Sequence, residues 1–133
     1  MPGTDPDHWL HRLTSEEWLR AAEGELQRAR RALAGKLQRQ GVAGARRAAG
    51  MAWNAVLVLA TDDSYGRSYM EHLRALGKDR AVPDNVRGAA ETLMLAELQT
   101  ELVQLGPGDT RIADAAAAIV EHARARVSPT VHA

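Results

Sequence analysis

The run Ala48-Ala49-Gly50-Met51-Ala52-Trp53-Asn54-Ala55-Val56-Leu57 decides the fold. With Ala45 and Leu59 it forms a helix to about residue 61 that is apolar around much of its circumference. A helix of that kind sits in the middle of a helical body, or else covers its excess with a subunit partner. Ala48, Ala49 and Ala52 are small enough to let a neighbouring helix approach closely.

Working outward, the same three-to-four-residue rhythm recurs on both sides. Thr14-Ser15-Glu16-Glu17 reads as a helix start, Thr14 capping the free amides and Glu17 returning the bond. Trp18, Ala22, Leu26, Ala29, Leu33 and Leu37 then stripe one face of a long first helix, about residues 15–40. Its other face holds Arg20, Glu23, Gln27, Arg30, Arg31 and Gln38, and Gly41 and Gly44 punctuate before the second helix. Thr61-Asp62-Asp63-Ser64 makes a turn, Gly66 opens a short third helix, and Gly77 ends it.

Pro83 at a first-turn position, with Asp84, starts a fourth helix. Its stripe is Val86, Ala90, Leu93, Met94, Leu98, Leu102 and Leu105, and Gly106-Pro107-Gly108 stops it. Asp109 or Thr110 caps a fifth, with Ile112, Ala115, Ala116, Ile119, Val120 and Ala123 inward, and Ser128-Pro129 ends it. The expected fold is all-α, an antiparallel up-and-down bundle of four to five helices. Residues 1–13 form a flexible arm, 14–127 the bundle and 128–133 a frayed tail.

Composition narrows the chemistry. A chain of 133 residues is long enough for one domain with a single core. There is no cysteine, which removes disulfides, thiolate catalysis and cysteine-based zinc sites. The 17 Lys and Arg balance the 17 Asp and Glu, so global charge draws the chain toward neither nucleic acid nor anionic membrane. Phenylalanine is absent and β-branched residues are sparse, which favours helix over strand. No apolar run approaches a membrane span, and Met1 to Asp7 does not read as a secretory signal, so a cytoplasmic location is expected.

Gly66-Arg67-Ser68-Tyr69-Met70-Glu71-His72-Leu73 is where a titratable histidine, an arginine and a tyrosine lie close together. Two readings of it stay open. His72, with Tyr69, Leu73 and Leu76 on its face, has the surroundings of a core-edge histidine, while Arg67 pairs with Asp62, Asp63 or Glu71. Alternatively Arg67, Tyr69 and His72 form a catalytic or binding site. Five residues on a continuous helix is a rotation of about 140°, so Arg67 and His72 converge only if Arg67 lies at the helix start.

With this order of elements the chain resembles the HEPN superfamily of small helical-bundle domains over about residues 14–127. The likeness rests on the long first helix opened by Trp18 and Ala22, the alanine-rich run quoted above, and the short helix from Gly66 to Leu76 with its His72-Leu73-x-x-Leu76 ending. The resemblance implies one of two functions. One family type is a ribonuclease, often a toxin, whose arginine-to-histidine motif acts at a dimer interface; Arg67-x4-His72 matches that spacing. The other accompanies nucleotidyltransferases and binds substrate or partner without catalysis, and the position of the His-Leu-x-x-Leu segment is closer to this type. Ser68 also departs from the polar Asn, Asp or His usual after the arginine of the ribonucleases.

The leading expectation is therefore a non-catalytic module that binds a nucleotide, nucleic acid or protein partner as a homodimer, with a nucleotidyltransferase or antitoxin as the implied partner. The alternative is a metal-independent endoribonuclease, with His72 moving protons, Arg67 stabilising charge on the phosphorane and Tyr69 orienting or stacking on a base. Each chain would supply one such histidine, so two protomers would have to meet. No cofactor or metal is expected.

Other features read as background. His8 and His11 lie in the arm with too few further ligands for a metal. His122 and His132 are expected at the surface. Arg28-Arg30-Arg31, Arg46-Arg47 and Arg124-Arg126 read as solvated faces paired with glutamates, or as a phosphate track. Gly41–Gly44 lacks the Lys and Ser/Thr of a phosphate loop. Trp9, Trp18 and Trp53 read as packing residues, Trp9 also as a possible oligomer anchor.

Overall fold

Thr14 does what its position promises. Its hydroxyl accepts from the Glu17 amide at 3.1 Å while the Glu17 carboxylate accepts from the Thr14 amide at 2.8 Å, a complete capping box. The helix it starts, α1, spans Ser15–Ala34 and is followed by α2, Gln38–Leu59. The computed structural model describes residues 9–35, 37–98 and 110–128 of the chain. Among these residues the regular structure is helical: α1, α2, α3 (Tyr69–Leu76), α4 (Asp84–Leu98) and α5 (Arg111–Val127), with 3-10 turns at Trp9–Arg12 and Asp63–Tyr65.

The break between the first two helices is not where the glycines pointed. The first helix ends at Ala34 and the second begins at Gln38, so Gly41 and Gly44 lie inside α2. They are packing positions. A Cβ on Gly41 would stand 2.5 Å from Leu33 Cγ, and one on Gly44 3.3 Å from the Ala29 Cβ. Gly41 faces Leu33, Gly44 faces Ala29, Arg47 meets Glu25, and the Ser15 hydroxyl donates to the Ala55 carbonyl at 2.8 Å. That sequence of pairs brings α1 and α2 together at close range along their lengths. Leu37, assigned to the first helix from its spacing, is the N-cap residue of α2 and is 55% exposed.

The central placement of α2 holds. It contacts α1, α3, α4 and α5, and Ala45, Ala48, Ala49, Ala52, Trp53, Asn54, Ala55, Val56 and Leu57 are all buried along it. Its apolar circumference is thus enclosed within one chain over Ala45 to Leu57, while Leu59 at its end is 61% exposed. Around it close Leu19, Ala22, Ala29 and Leu33 of α1, Leu73 and Leu76 of α3, Val86, Ala90 and Leu93 of α4, and Ile112, Ala116, Ile119 and Val120 of α5. Burying a Leu or Ile side chain is worth about 1.5–3 kcal/mol each, which is what offsets the ordering of five helices.

Smaller departures have local causes. Pro83 falls just before α4, not within it, and its carbonyl accepts from the amides of Val86 and Arg87 at 3.0 and 3.1 Å. Thr110 stands at the start of α5, but its hydroxyl bonds the Asp114 carboxylate at 2.8 Å and no helix amide. Leu102, Leu105, Asp109, the Gly106-Pro107-Gly108 stop, the side chains of Trp9 and Leu98, and the expected arm and tail at 1–8 and 129–133 lie outside the described residues. No described helix is long and apolar enough to cross a membrane.

Candidate functional site

The third helix begins later than Gly66. Ser68 is its N-cap: the Ser68 hydroxyl accepts from the Glu71 amide at 3.0 Å, and the Glu71 carboxylate accepts from the Ser68 amide at 2.9 Å and the Arg67 amide at 2.8 Å. These backbone donors hold the Glu71 carboxyl below its ordinary range. Gly66 has φ +70, the left-handed region, and a Cβ there would stand 2.7 Å from the Glu71 side chain. Glycine is therefore required for Glu71 to reach back over the helix start. Arg67 lies ahead of the cap, outside the helix.

From that start the three singled-out residues diverge. Arg67 is exposed and borders a pocket of about 350 Å³ with Leu10, Leu57, Thr61, Asp62, Asp63 and Gly66. Tyr69, one residue into the helix, lies against Gly50 of α2 and is half-buried, its hydroxyl in the field of Glu25 and Arg47. Burial raises the Tyr69 phenol above its usual value. His72 points inward and is fully buried, edge-on to Tyr69 with ring centroids 6.4 Å apart.

Both His72 nitrogens are engaged by the protein. Nδ1 lies 2.7 Å from the Tyr65 carbonyl oxygen, and Nε2 lies 2.7 Å from the side-chain amide of Asn54, itself fully buried on α2. A carbonyl only accepts, so Nδ1 carries the proton and donates to Tyr65. Burial lowers the His72 pKa below its ordinary value and favours the neutral ring. Nε2 of a neutral ring must then accept. That requires Asn54 to present its amide nitrogen to the ring; with Oδ1 toward the ring instead, Nδ2 is buried without a bond. So turned, Asn54 donates to His72, and the pair ties α2 to α3 through the core.

Next to this link lies a second polar cluster. Burial raises the Tyr65 phenol above its ordinary value, and its hydroxyl donates to the Asp79 carboxylate, which raises it further and lowers Asp79. The Tyr65 ring tilts against Trp53 at 5.5 Å, His122 stacks on Trp53 at 6.0 Å and 9°, and the Arg126 guanidinium lies 5.6 Å from the Trp53 ring centre. His122 is therefore not a surface residue as expected but half-buried on the indole, and burial lowers its pKa. The Trp53 Nε1 and His122 Nε2 atoms are buried without a hydrogen-bond partner among the described residues.

His11 is exposed, and no group of three or more potential metal ligands occurs among the described residues. Trp18 is half-buried and donates its indole N–H to the Leu10 carbonyl at 2.9 Å, pinning the first turn to α1. Asn54 and Gly50 were not singled out from the sequence. A lone amide inside an apolar helical run was the available signal for Asn54. No family model matches the chain, and no curated protein or solved structure matches it either.

Proposed function

We propose that this chain is a non-catalytic binding module, an antiparallel up-and-down bundle of the HEPN type that binds a nucleotide, nucleic acid or protein partner. The observation that carries the proposal is the enclosure of His72. A general base must reach the proton it takes, within about 3 Å or through one water. His72 has no exposed surface, and both of its nitrogens are occupied by Tyr65 and Asn54. Arg67 stands outside, on the solvent side of the cap. An imidazole and a guanidinium so separated do not share one phosphate.

The endoribonuclease alternative would need His72 to leave the core, breaking two buried hydrogen bonds in each protomer. Interior placement already covers most of the apolar surface of α2 within one chain, so the binding proposal does not depend on a homodimer. Light scattering of the purified protein decides that point separately.

The test is incubation of purified protein with labelled single-stranded RNA across pH 5 to 8, beside Arg67→Ala, an exposed substitution that leaves the core intact. The expected result is intact RNA with both proteins. Cleavage by the unmodified chain that disappears in Arg67→Ala would overturn the proposal in favour of the enzyme.

A further inference from the structure

The contact between α5 and Trp53 leaves two polar atoms of the core unanswered. Trp53 is 1% exposed, and its indole Nε1 has no acceptor among the described residues. His122 lies flat on that indole at 6.0 Å and 9°, and its Nε2 is likewise buried without a partner. Enclosed polar atoms that bond to nothing weaken the closed arrangement, because water would satisfy both. The segment that closes it is lightly held. Beyond Ala123 no described residue of α5 is fully buried. Its ties there are the Arg124–Glu23 ion pair, the Ser128 hydroxyl donating to Glu16 at 2.7 Å, the half-buried Val127 and the Arg126 guanidinium at the Trp53 ring.

We propose that the turn from His122 to Val127 is an acid-released latch: a proton taken up by His122 detaches it from Trp53 and opens the indole N–H to water, while the rest of the bundle stays packed. The device goes beyond the binding reading and does not rest on it. An imidazolium carries a proton on both nitrogens, so charging puts an N–H on Nε2 where no acceptor stands. It also sets a second cation one helical turn from Arg126. An indole attracts a cation to its ring, and Arg126 already supplies one at 5.6 Å from the ring centre.

No carboxylate answers the new charge. On α1, Glu23 takes Arg124 and Glu16 takes Ser128. Residues 48–59 of α2 carry no charged side chain. On α4, Asp84 takes Arg87 and Glu91 lies toward Gly77, while Asp79 after α3 takes the Tyr65 hydroxyl. Glu121, beside His122 on α5, is exposed. Burial first, and then Arg126, hold the folded pKa of His122 below the ordinary 6.5. The open turn therefore binds the proton first. Closure is fully stable above pH 6.5 and loses stability as pH falls below it.

The experiment is amide hydrogen exchange of the intact chain at pH 7.5 and pH 5.5, read by mass spectrometry and corrected for the intrinsic pH dependence of exchange. Amides of residues 122–128 open about three- to tenfold more at the lower pH, the range that one proton gained by the open form allows. They also exchange faster than those of α1 at both values, as a local opening requires. His122→Phe keeps a flat ring for the indole and has no proton to gain. In it, and in His122→Gln, the acid increment at the turn falls below about twofold. Arg126→Gln removes the neighbouring charge and lessens the increment. Equal protection of the turn at both pH values overturns the inference, as does an undiminished increment in the two His122 variants. So does a turn that exchanges only together with α1, at one rate. Should neither His122 variant fold, nitrogen NMR of the unmodified chain decides: a His122 midpoint below 6.5 supports the latch, and one at or above 6.5 overturns it.

Discussion

Two faces of the short helix α3 stand three residues apart and behave as different materials. His72 is sealed against α2, with each nitrogen answered by a neighbour. Tyr69 rests on the same helix at a point where glycine removes the side chain beneath it, and stays half-exposed with its hydroxyl in the field of Glu25 and Arg47. The difference is made by what α2 supplies: Asn54 under one residue, Gly50 under the other. A histidine beside a tyrosine and an arginine in sequence thus becomes an internal strut beside an outward surface, not one site.

The sharpest way to break the contrast is to empty its buried side. His72→Ala leaves a cavity and strips the partners of Tyr65 and Asn54, so a loss of about 2–4 kcal/mol is expected in urea unfolding. Arg67→Ala, in the same motif but exposed, should stay within about 0.5 kcal/mol of the unmodified protein. Equal losses for the two would erase the distinction.

The open side has its own test. A Cβ on Gly50 would stand 2.3 Å from Tyr69 Cδ1 and 2.5 Å from Tyr69 Cβ. Rotating the ring cannot relieve contact with its own Cβ, so α3 must move. Gly50→Ala should cost about 1–3 kcal/mol, read as a lowered urea midpoint, although alanine is the better helix former.

Acid should separate the two faces further, because His72 titrates and the tyrosine does not in the same range. The folded pKa of His72 is depressed below the ordinary 6.5 by burial, so the unfolded chain takes up its proton first. The stability gained from the neutral ring is whole above pH 6.5 and is lost as pH falls below that value toward the folded pKa. His122 shifts in the same direction, also by burial, and adds to the loss. Melting temperature should therefore fall between pH 7 and pH 5, and fall less in His72→Gln, which has no proton to gain. An equal decline in both proteins would remove His72 as the source.

The smallest expected change is a gain. Gly88 of α4 has open space where a Cβ would stand. Gly88→Ala should stabilise the chain by about 0.5–1 kcal/mol, a rise of the melting temperature that Gly50→Ala reverses.

Much of the helical layout was legible in sequence because amphipathic spacing and local caps act over three or four residues. Thr14 and Glu17 announced α1, and Ile112, Ala116, Ile119 and Ala123 announced the buried face of α5. Ser68 and Glu71 carry the same cap pattern, and it marks the start of α3. Gly41 and Gly44 misled because a glycine that ends a helix and a glycine that lets two helices touch look alike without the opposing Leu33 and Ala29. The candidate site was least legible. Asn54 and His72 are 18 residues apart and meet only through the crossing of α2 and α3, which no local pattern encodes.

Imidazole nitrogen NMR of the intact chain, followed across pH, tests the sealed histidine most directly. The account predicts that His72 titrates with a midpoint below 6.5 and that its neutral ring carries the proton on Nδ1. A His72 signal that titrates at or above that value, or that carries its proton on Nε2, would contradict it.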